Sequence, residues 1–419
     1  MSKKERRSVP VLRFKGFTDD WEQRKFGDFW KLKSGKAYKA SEYVNKGIPI
    51  INGETIKNGE IKSKNLNYLP KRYLLIKDNI ILKPDDVVIG LNRPIINNQL
   101  KISPIPKNIP VSFLYQRAGK IESKFSNLST IETYYLLERN IFNFSKITAI
   151  GSDQPFIKTS ALLSWKFFIP KEIEEKTINK LLAKISTLIF LQQRKLDQFK
   201  QLKTMCLANM FFNSANHVTK LRFVGFTDNV EKQSFGNTIS HKSGTSIEKY
   251  FSPKGQYKVI SIGSYGLNGE YIDQGIRAVS NEKTNSHLIR KGELSMVLND
   301  KTDGKILGRT LLINKDNEYV VNQRSEIIKP NPALWDTQFA FTYLNGPFRK
   351  KVIRIMQGGT QKYINFSSVE KLNVFLPEVQ EQQKIGFLFK KIDAIICHHQ
   401  QKILSLKQIR KFLLQNLFI

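Results

Sequence analysis

Two stretches of the chain carry an unbroken helical rhythm. From Lys171 to Met210 there is neither Pro nor Gly, and Ile178, Leu181, Ile185, Ile189, Leu196, Phe199 and Leu202 recur at steps of three, four or seven. From Glu378 to Ile419 the same rhythm places Ile385, Leu388, Ile392, Ile396, Ile403, Leu406, Ile409 and Leu413. Each pattern predicts one long helix with a narrow apolar stripe, because side chains three and four apart share a helix face. Some 39 residues at 1.5 Å per residue make roughly 58 Å of helix. A stripe that outruns a domain of about 150 residues needs a partner, so the two helices are expected to pair as an antiparallel coiled coil. The alternative is that each packs down on its own domain.

The stretch ahead of each helix has a different texture: about 150 residues of short β segments broken by turns. Ile48-Pro-Ile-Ile51 and Val259-Ile-Ser-Ile262 read as strands. Asn58-Gly59 and Asn268-Gly269 are hairpin dipeptides, suited to a turn that needs positive φ at both central positions. The resulting fold class is α/β (α+β), with two tandem β-rich domains each followed by a long helix.

The two halves are copies. Leu12-Arg-Phe-Lys-Gly-Phe-Thr-Asp19 returns as Leu221-Arg-Phe-Val-Gly-Phe-Thr-Asp228, Phe26-Gly27 as Phe235-Gly236, and Ser34-Gly35 as Ser243-Gly244. Gln116-Arg117 returns as Gln323-Arg324, Gln154 as Gln361, and Phe168-Ile-Pro170 as Phe375-Leu-Pro377. One near-constant offset of about half the chain means duplication. The expected division is 1–170 and 213–377 for the β-rich domains, with 171–212 and 378–419 for the helices.

Charge changes the picture next. Lys and Arg number 68 against 36 Asp and Glu, a net charge of +32 in 419 residues. Such a surface attracts polyanions, and nucleic acid is the expected partner. A membrane fits less well. The N-terminus, Met1-Ser-Lys-Lys-Glu-Arg-Arg7, lacks the apolar run of a secretory signal, and runs such as Leu188–Leu191 are far too short to span a bilayer. The two cysteines, Cys206 and Cys397, sit in helical stretches without metal-ligand spacing, which suits a reducing, cytoplasmic setting.

Catalytic constellations fail one by one. Asn331-Pro-Ala-Leu334 lacks the second Pro and the aromatic of an aminomethyltransferase loop and reads as a turn after the Ile327-Ile328 strand. Pro84-Asp85 with Glu122-Ser-Lys124 mimics a metal-dependent nuclease. Its counterparts in the second copy, Lys291-Gly292-Glu293 and Lys329, are a turn and a lysine, so a structural turn accounts for both. His398-His399 has no third ligand at helical spacing, and no phosphate-binding Gly-Lys-Ser/Thr loop occurs. The chain is expected to hold no catalytic residue and no metal.

Recognition chemistry remains. The candidate DNA-binding residues beside turns are Ser34, Lys36, Asn52, Arg93, Arg117, Gln154 and Lys158 in the first copy. In the second they are Lys242, Ser243, Ser264, Lys301, Arg324, Gln361 and Lys362. Arg and Lys suit guanine edges, Asn and Gln suit adenine edges, and the rest can grip phosphate. A solvated surface role is the alternative for each. Gln154 and Gln361 each follow a Gly-containing turn, a repetition that architecture could equally produce.

The arrangement resembles the specificity subunits of type I restriction–modification enzymes over the whole chain. The openings Leu12-Arg-Phe and Leu221-Arg-Phe with their Gly-Phe look like that family's domain starts. Pro377-Glu-Val-Gln-Glu-Gln-Gln-Lys-Ile385, continuing through Ile392-Asp393 and Leu406-Lys-Gln408 to Leu414-Gln-Asn-Leu-Phe418, is similar to its conserved helix. The first helix is a worn version, with Pro170-Lys-Glu-Ile-Glu-Glu-Lys176 at its start and Ser186 where Asp393 stands. The resemblance implies two target recognition domains, each reading one half of a split double-stranded DNA sequence, with the helices as a ruler between them. It implies two methyltransferase (M) subunits that bind S-adenosylmethionine and methylate adenine. It also implies restriction (R) subunits that supply ATP- and Mg-dependent translocation and cleavage, leaving this chain without a cofactor of its own. A free-standing duplicated DNA-binding regulator is the alternative. Deleting Glu378–Ile419 is expected to abolish assembly with the methyltransferase more than it changes sequence preference, as read by co-purification against target mapping.

Overall fold

The computed structural model describes residues 9–125, 129–148, 155–212, 219–227, 230–300 and 304–419. The chain forms two compact units, residues 1–192 with 402–419, and residues 193–401. Both units are α+β and share one strand topology.

In the first unit a four-stranded antiparallel sheet runs Ile102–Pro104, Val87–Gly90, Ala118–Ser123, Trp30–Ser34. A smaller sheet runs Tyr68–Leu69, Ile48–Ile51, Ser112–Leu114, Ile81–Leu82, with its central pair parallel. The second unit repeats both orders. Its larger sheet runs Ile239–Ser243, Ser325–Pro330, Leu294–Val297, Thr310–Leu312, and its smaller sheet runs Arg277–Ala278, Tyr257–Ile260, Tyr319–Val321, Leu288–Ile289.

The central strand shows why the sequence alternates so little there. All of Val87–Gly90 is buried. A pleated strand sends successive side chains to opposite faces. Val87 and Ile89 enter a core with Trp30, Ile121 and Phe144, while Val88 enters another with Ile51, Leu82 and Leu114. The larger sheet is therefore covered by helix on one face and by the smaller sheet on the other. Leu294 and Met296 divide from Val297 in the same way.

The helices span Glu172–Asn209 and Val379–Asn416, 38 residues each. In the second unit they run antiparallel: the Lys203 ammonium meets Asp393 at 2.6 Å, and the Phe199 ring stacks on His399 with centroids 5.8 Å apart. In the first unit Tyr135 touches both, donating to Ser186 Oγ at 2.8 Å while the Arg410 guanidinium lies over its ring. The stripes differ from expectation at their far ends. Leu182 rather than Leu181 is fully buried, and Leu202 and Ile409 are exposed. Near Ile409 the helix turns Arg410, Leu413, Leu417 and Phe418 onto the first unit instead. Among the described residues no helix is long and apolar enough to cross a membrane.

Of the two expected hairpin dipeptides, Asn58-Gly59 does join paired strands, Ile56–Lys57 and Glu60–Ile61, but only Gly59 takes positive φ. Asn268-Gly269 lies in a wider loop, and there too the glycine alone is left-handed. The turn with positive φ at both positions is Asn97-Asn98, between Ile95–Ile96 and Gln99–Leu100.

Each copy's opening motif closes its own unit. Leu12 N–H donates to Asn416 O, and Leu221 N–H to Asn209 O, at the ends of the long helices. Arg13 clasps Glu174 and Arg222 clasps Glu381, in the first turn of the helix that follows its own copy. Leu417 and Phe418 lie in the first unit's core, the latter edge-on to Trp21. Deleting Glu378–Ile419 would therefore open that core as well as remove a helix.

One buried group in this frame gives a pH dependence. Glu175 is buried among Glu172 and Glu132, Oε1 has no partner, and burial pushes its carboxyl up to about 8. The matching position in the second copy is Gln382, whose amide donates to Leu334 O and Pro377 O and accepts from Asp336 N–H. A carboxyl whose folded pKa is raised keeps its proton in the fold, so stability is lost as pH rises from the unfolded value near 4.5 to about 8. Glu175→Gln is expected to raise the melting temperature at pH 8, by a stability increment on the order of a few kcal/mol, and to change little at pH 4. Equal melting of the two proteins at pH 8 would show that the carboxyl is solvated.

Candidate nucleic-acid interface

The repeated Ser-Gly and Gln-Arg dipeptides meet. In the first unit the chain leaves the smaller sheet at Leu114, turns at Gln116-Arg117 and enters the larger sheet at Ala118. Gly35 passes against this corner, where a Cβ would overlap the carbonyls of Leu114 and Tyr115. Gly244 passes Asn322 in the same way beside Gln323-Arg324. Arg117 and Arg324 both take left-handed backbone, φ 64° and 70°, and their carbonyls accept the N–H of Leu91 and Leu298 at 2.9 Å. For a residue with a Cβ that conformation costs about 1–2 kcal/mol, and Gly or Asn would relieve it. Both arginines are exposed, so packing does not account for them.

Around the first corner lies a cleft of about 890 Å³. Lys57, Lys62, Arg93, Lys101 and Arg117 line it, with Glu54 the one carboxylate among the described residues of its wall. The amide-bearing Asn52, Asn92 and Gln116 stand between them. Arg93, like Arg117, is left-handed, at φ 44°. Burial, then the neighbouring charge of Lys57, pushes the Lys101 ammonium down to about 8. The cleft is thus concave and cationic, with hydrogen-bonding groups of both polarities among its lining residues.

The second corner is wired differently. Gln323 and Asn322 both donate to Glu248, at 2.8 and 3.0 Å, and these bonds with that from Ser246 hold the Glu248 carboxyl down to about 2. Arg349 braces the loop before Arg309 through the carbonyls of Leu307 and Lys305. Burial, and then the charge of Arg309, holds Arg349 down to about 10.

The comparisons with known proteins agree with this geometry. The family described as type I restriction modification DNA specificity domain matches twice, over residues 18–201 and 229–408. The chain belongs to that family. It is 31% identical over 207 residues to the type I restriction enzyme MjaVIII specificity subunit of Methanocaldococcus jannaschii, covering 49% of this chain and about half (48%) of that protein's length. The putative MjaX specificity subunit of the same organism is 25% identical over 398 residues, 90% of this chain and 88% of the other. The crystal structure of an S subunit from M. genitalium superposes with TM-score 0.63 at 14% identity, covering 98% and 99% of the two chains. At that identity the likeness is one of fold.

Within this family frame, the residues expected from sequence fall into three groups. Asn52, Arg93 and Arg117 share the cleft, although Asn52 Oδ1 already accepts the N–H of Glu54 and Thr55. Ser34, Lys36 and Lys158 are exposed outside the cleft's lining, Lys36 hydrogen-bonded through its backbone to the corner. In the second unit Arg324 holds the corner and Gln361 is exposed. Lys242 and Lys362 spend their ammonium groups on the carbonyls of Ser286 and Gly358. Ser243 donates to the buried Glu326, which also holds His241 at 2.6 Å, so its hydroxyl serves an internal network. Ser264 is a correction: it is fully buried, hydrogen-bonded to Val259 O and Ser261 N–H, and presents nothing to a ligand. Gln154 and Lys301 lie outside the described residues.

Sequence reasoning passed over Lys57, Lys62, Lys101 and Gln116. The Asn97-Asn98 turn could have located Lys101, since it folds Leu100 and Lys101 back across the cleft. The nuclease mimic is a salt-bridged turn. Asp86 and Glu122 are both bound by Lys120, Lys33 also pairs with Glu122, and Asp85 is left-handed as Gly292 is. Among the described residues no group of three or more His, Cys, Asp or Glu could hold a metal ion. Arg117→Gly and Arg324→Gly are expected to leave melting unchanged or to raise stability by up to about 1 kcal/mol, since relieved strain outweighs the extra chain entropy of glycine. A clear fall in melting temperature would show that the arginines support the fold.

Proposed function

We propose that this chain is the noncatalytic DNA-specificity subunit of a type I restriction–modification assembly. The observation that carries this reading is the family match occurring twice along one chain, with a cationic, strained-arginine corner in each copy. Each β-rich domain, 1–170 and 213–377, reads one half of a bipartite target. Different halves follow, because the corners keep their backbone and change their surroundings: Gln116 stands in an open cleft, while Gln323 is tied to Glu248.

The long helices, 171–212 and 378–419, set the spacing between half-sites. A helix of 38 residues is about 57 Å long at 1.5 Å per residue, enough to separate two readers by a whole turn of duplex, roughly 34 Å. Large apolar side chains stay exposed on both helices, among them Phe190 and Leu188 on the first and Leu404 and Phe412 on the second. Exposed apolar side chains of this size suit protein docking, and the methyltransferase subunits are the partners assigned to them. Those subunits supply S-adenosylmethionine and adenine methylation. Restriction subunits supply the ATP- and Mg-dependent step. A neighbour of similar fold, TM-score 0.53, comes from a study of complex assembly and conformational transition of the type I R-M system.

Methylome mapping of a host with and without the gene tests the proposal. A split adenine-methylated motif that vanishes with the gene is expected. Replacing the first β-rich domain with that of a relative is expected to change one half of the motif and leave its other half and spacing intact. Methylation unaffected by loss of the gene would overturn the reading, as would failure of a methyltransferase subunit to co-purify with the chain.

A further inference from the structure

One cation in the first unit is largely buried and has no hydrogen bond or ion pair among the described residues. Lys101 is only 6% exposed, yet its ammonium lies at the cleft. Gly90 makes room for it, and Gly53 lies beside it. A Cβ on Gly90 would sit 2.7 Å from Lys101 Cε and 3.2 Å from Nζ, and one on Gly53 would stand 3.7 Å from Nζ. Its own backbone is held on both sides, Lys101 N–H donating to Pro94 O and its carbonyl accepting from Gly90 N–H. The side chain is therefore aimed by the hairpin Ile95–Leu100 and the strand end at Gly90, rather than left to find a position.

The charges that face it make the position worse. Lys57 and Arg93 repel it, and among the described residues Glu54 opposes them. A buried ammonium with too little compensation is costly, and the shortfall is what an incoming acceptor would supply. The corresponding residue of the second unit, Arg309, is likewise lowered by burial.

We infer that Lys101 donates to an acceptor atom of DNA at the cleft floor, and that this contact fixes how the first β-rich domain engages its half-site. The inference rests on the proposed function. Two acceptors fit the chemistry: a backbone phosphate oxygen, or the O6 and N7 edge of a guanine. Either acceptor restores the full charge on an ammonium that free protein holds near 8. Affinity should then be complete below pH 8 and fall as pH rises above it.

The test uses the assembled methyltransferase complex and a duplex carrying the mapped motif, with single-base variants and an unrelated duplex beside it. Lys101→Met keeps the length of the side chain and removes its charge. Binding is expected to weaken roughly tenfold or more, and the fall in affinity above pH 8 is expected to vanish. Melting should be unchanged or higher, because an uncompensated buried charge is gone. Weakening on all duplexes alike identifies the phosphate, and weakening confined to discrimination at one base pair identifies the base edge. Wild-type affinity and discrimination in Lys101→Met would overturn the contact while leaving the proposed function standing. An unaltered complex with no preference for the motif would overturn both.

Discussion

A buried arginine–carboxylate clasp organises each unit. Arg13 reaches Glu174 through two nitrogens, at 2.7 and 2.8 Å, and Trp21 Nε1 donates to the same carboxylate. Arg222 holds Glu381 in the same fashion. Both glutamates are about 1% exposed and stand in the first turn of a long helix, where the backbone N–H groups favour negative charge. Desolvating two charges is repaid only when geometry is good and other lone pairs are used, and the forked guanidinium meets that condition. The clasp joins the opening residues of each copy to the helix that ends it. The strand after the opener then pairs with the strand before that helix, Glu22–Lys25 with Ile169–Lys166 and Glu231–Ser234 with Leu376–Asn373. Sheets, corner and cleft hang on this closure.

Duplication kept the parts that carry geometry and released those that carry contacts. The clasp and the glycine against the corner recur because each meets a steric or electrostatic demand of the backbone, whereas the left-handed arginine recurs in spite of one. Around them the copies diverge freely. Leu32 packs in the first core where His241 joins Glu326 and Glu370. Glu175, with an unpartnered oxygen, stands where Gln382 makes three hydrogen bonds. The first long helix thus begins with a polar core less well satisfied than the second, in keeping with its worn sequence.

The long helices also hold the units' edges. Cys206, Met210 and Phe211, at the end of the first helix, pack with Ile385 and Phe389 from the start of the second. Leu417 and Phe418 pack with Ile178 and Leu182 in the same sense within the first unit. Arg410 seals that contact, paired with Glu138 at 2.7 Å and bonded to Asn58. A helix end that belongs to a domain core is positioned by that domain.

By itself the sequence determined the duplication, both long helices to within three residues at either end, the strand Ile48–Ile51, and the cationic character of the whole, while the strand expected at Val259–Ile262 runs two residues earlier, Tyr257–Ile260. These follow from periodicity and counts, which are local or global sums and need no knowledge of neighbours in space. Tertiary structure decided the rest. Which stripe residues face inward changed at Leu202 and Ile409, which are exposed, while beyond Ile409 Leu413 and Leu417 pack on the first unit's core. Ser264 looked available and is buried, and Lys101 looked ordinary and is the buried cation of the cleft. Burial and desolvation depend on residues far apart in the chain, here Gly90, the charges of Lys57 and Arg93 and the turn at Asn97-Asn98, and no local pattern records where they meet.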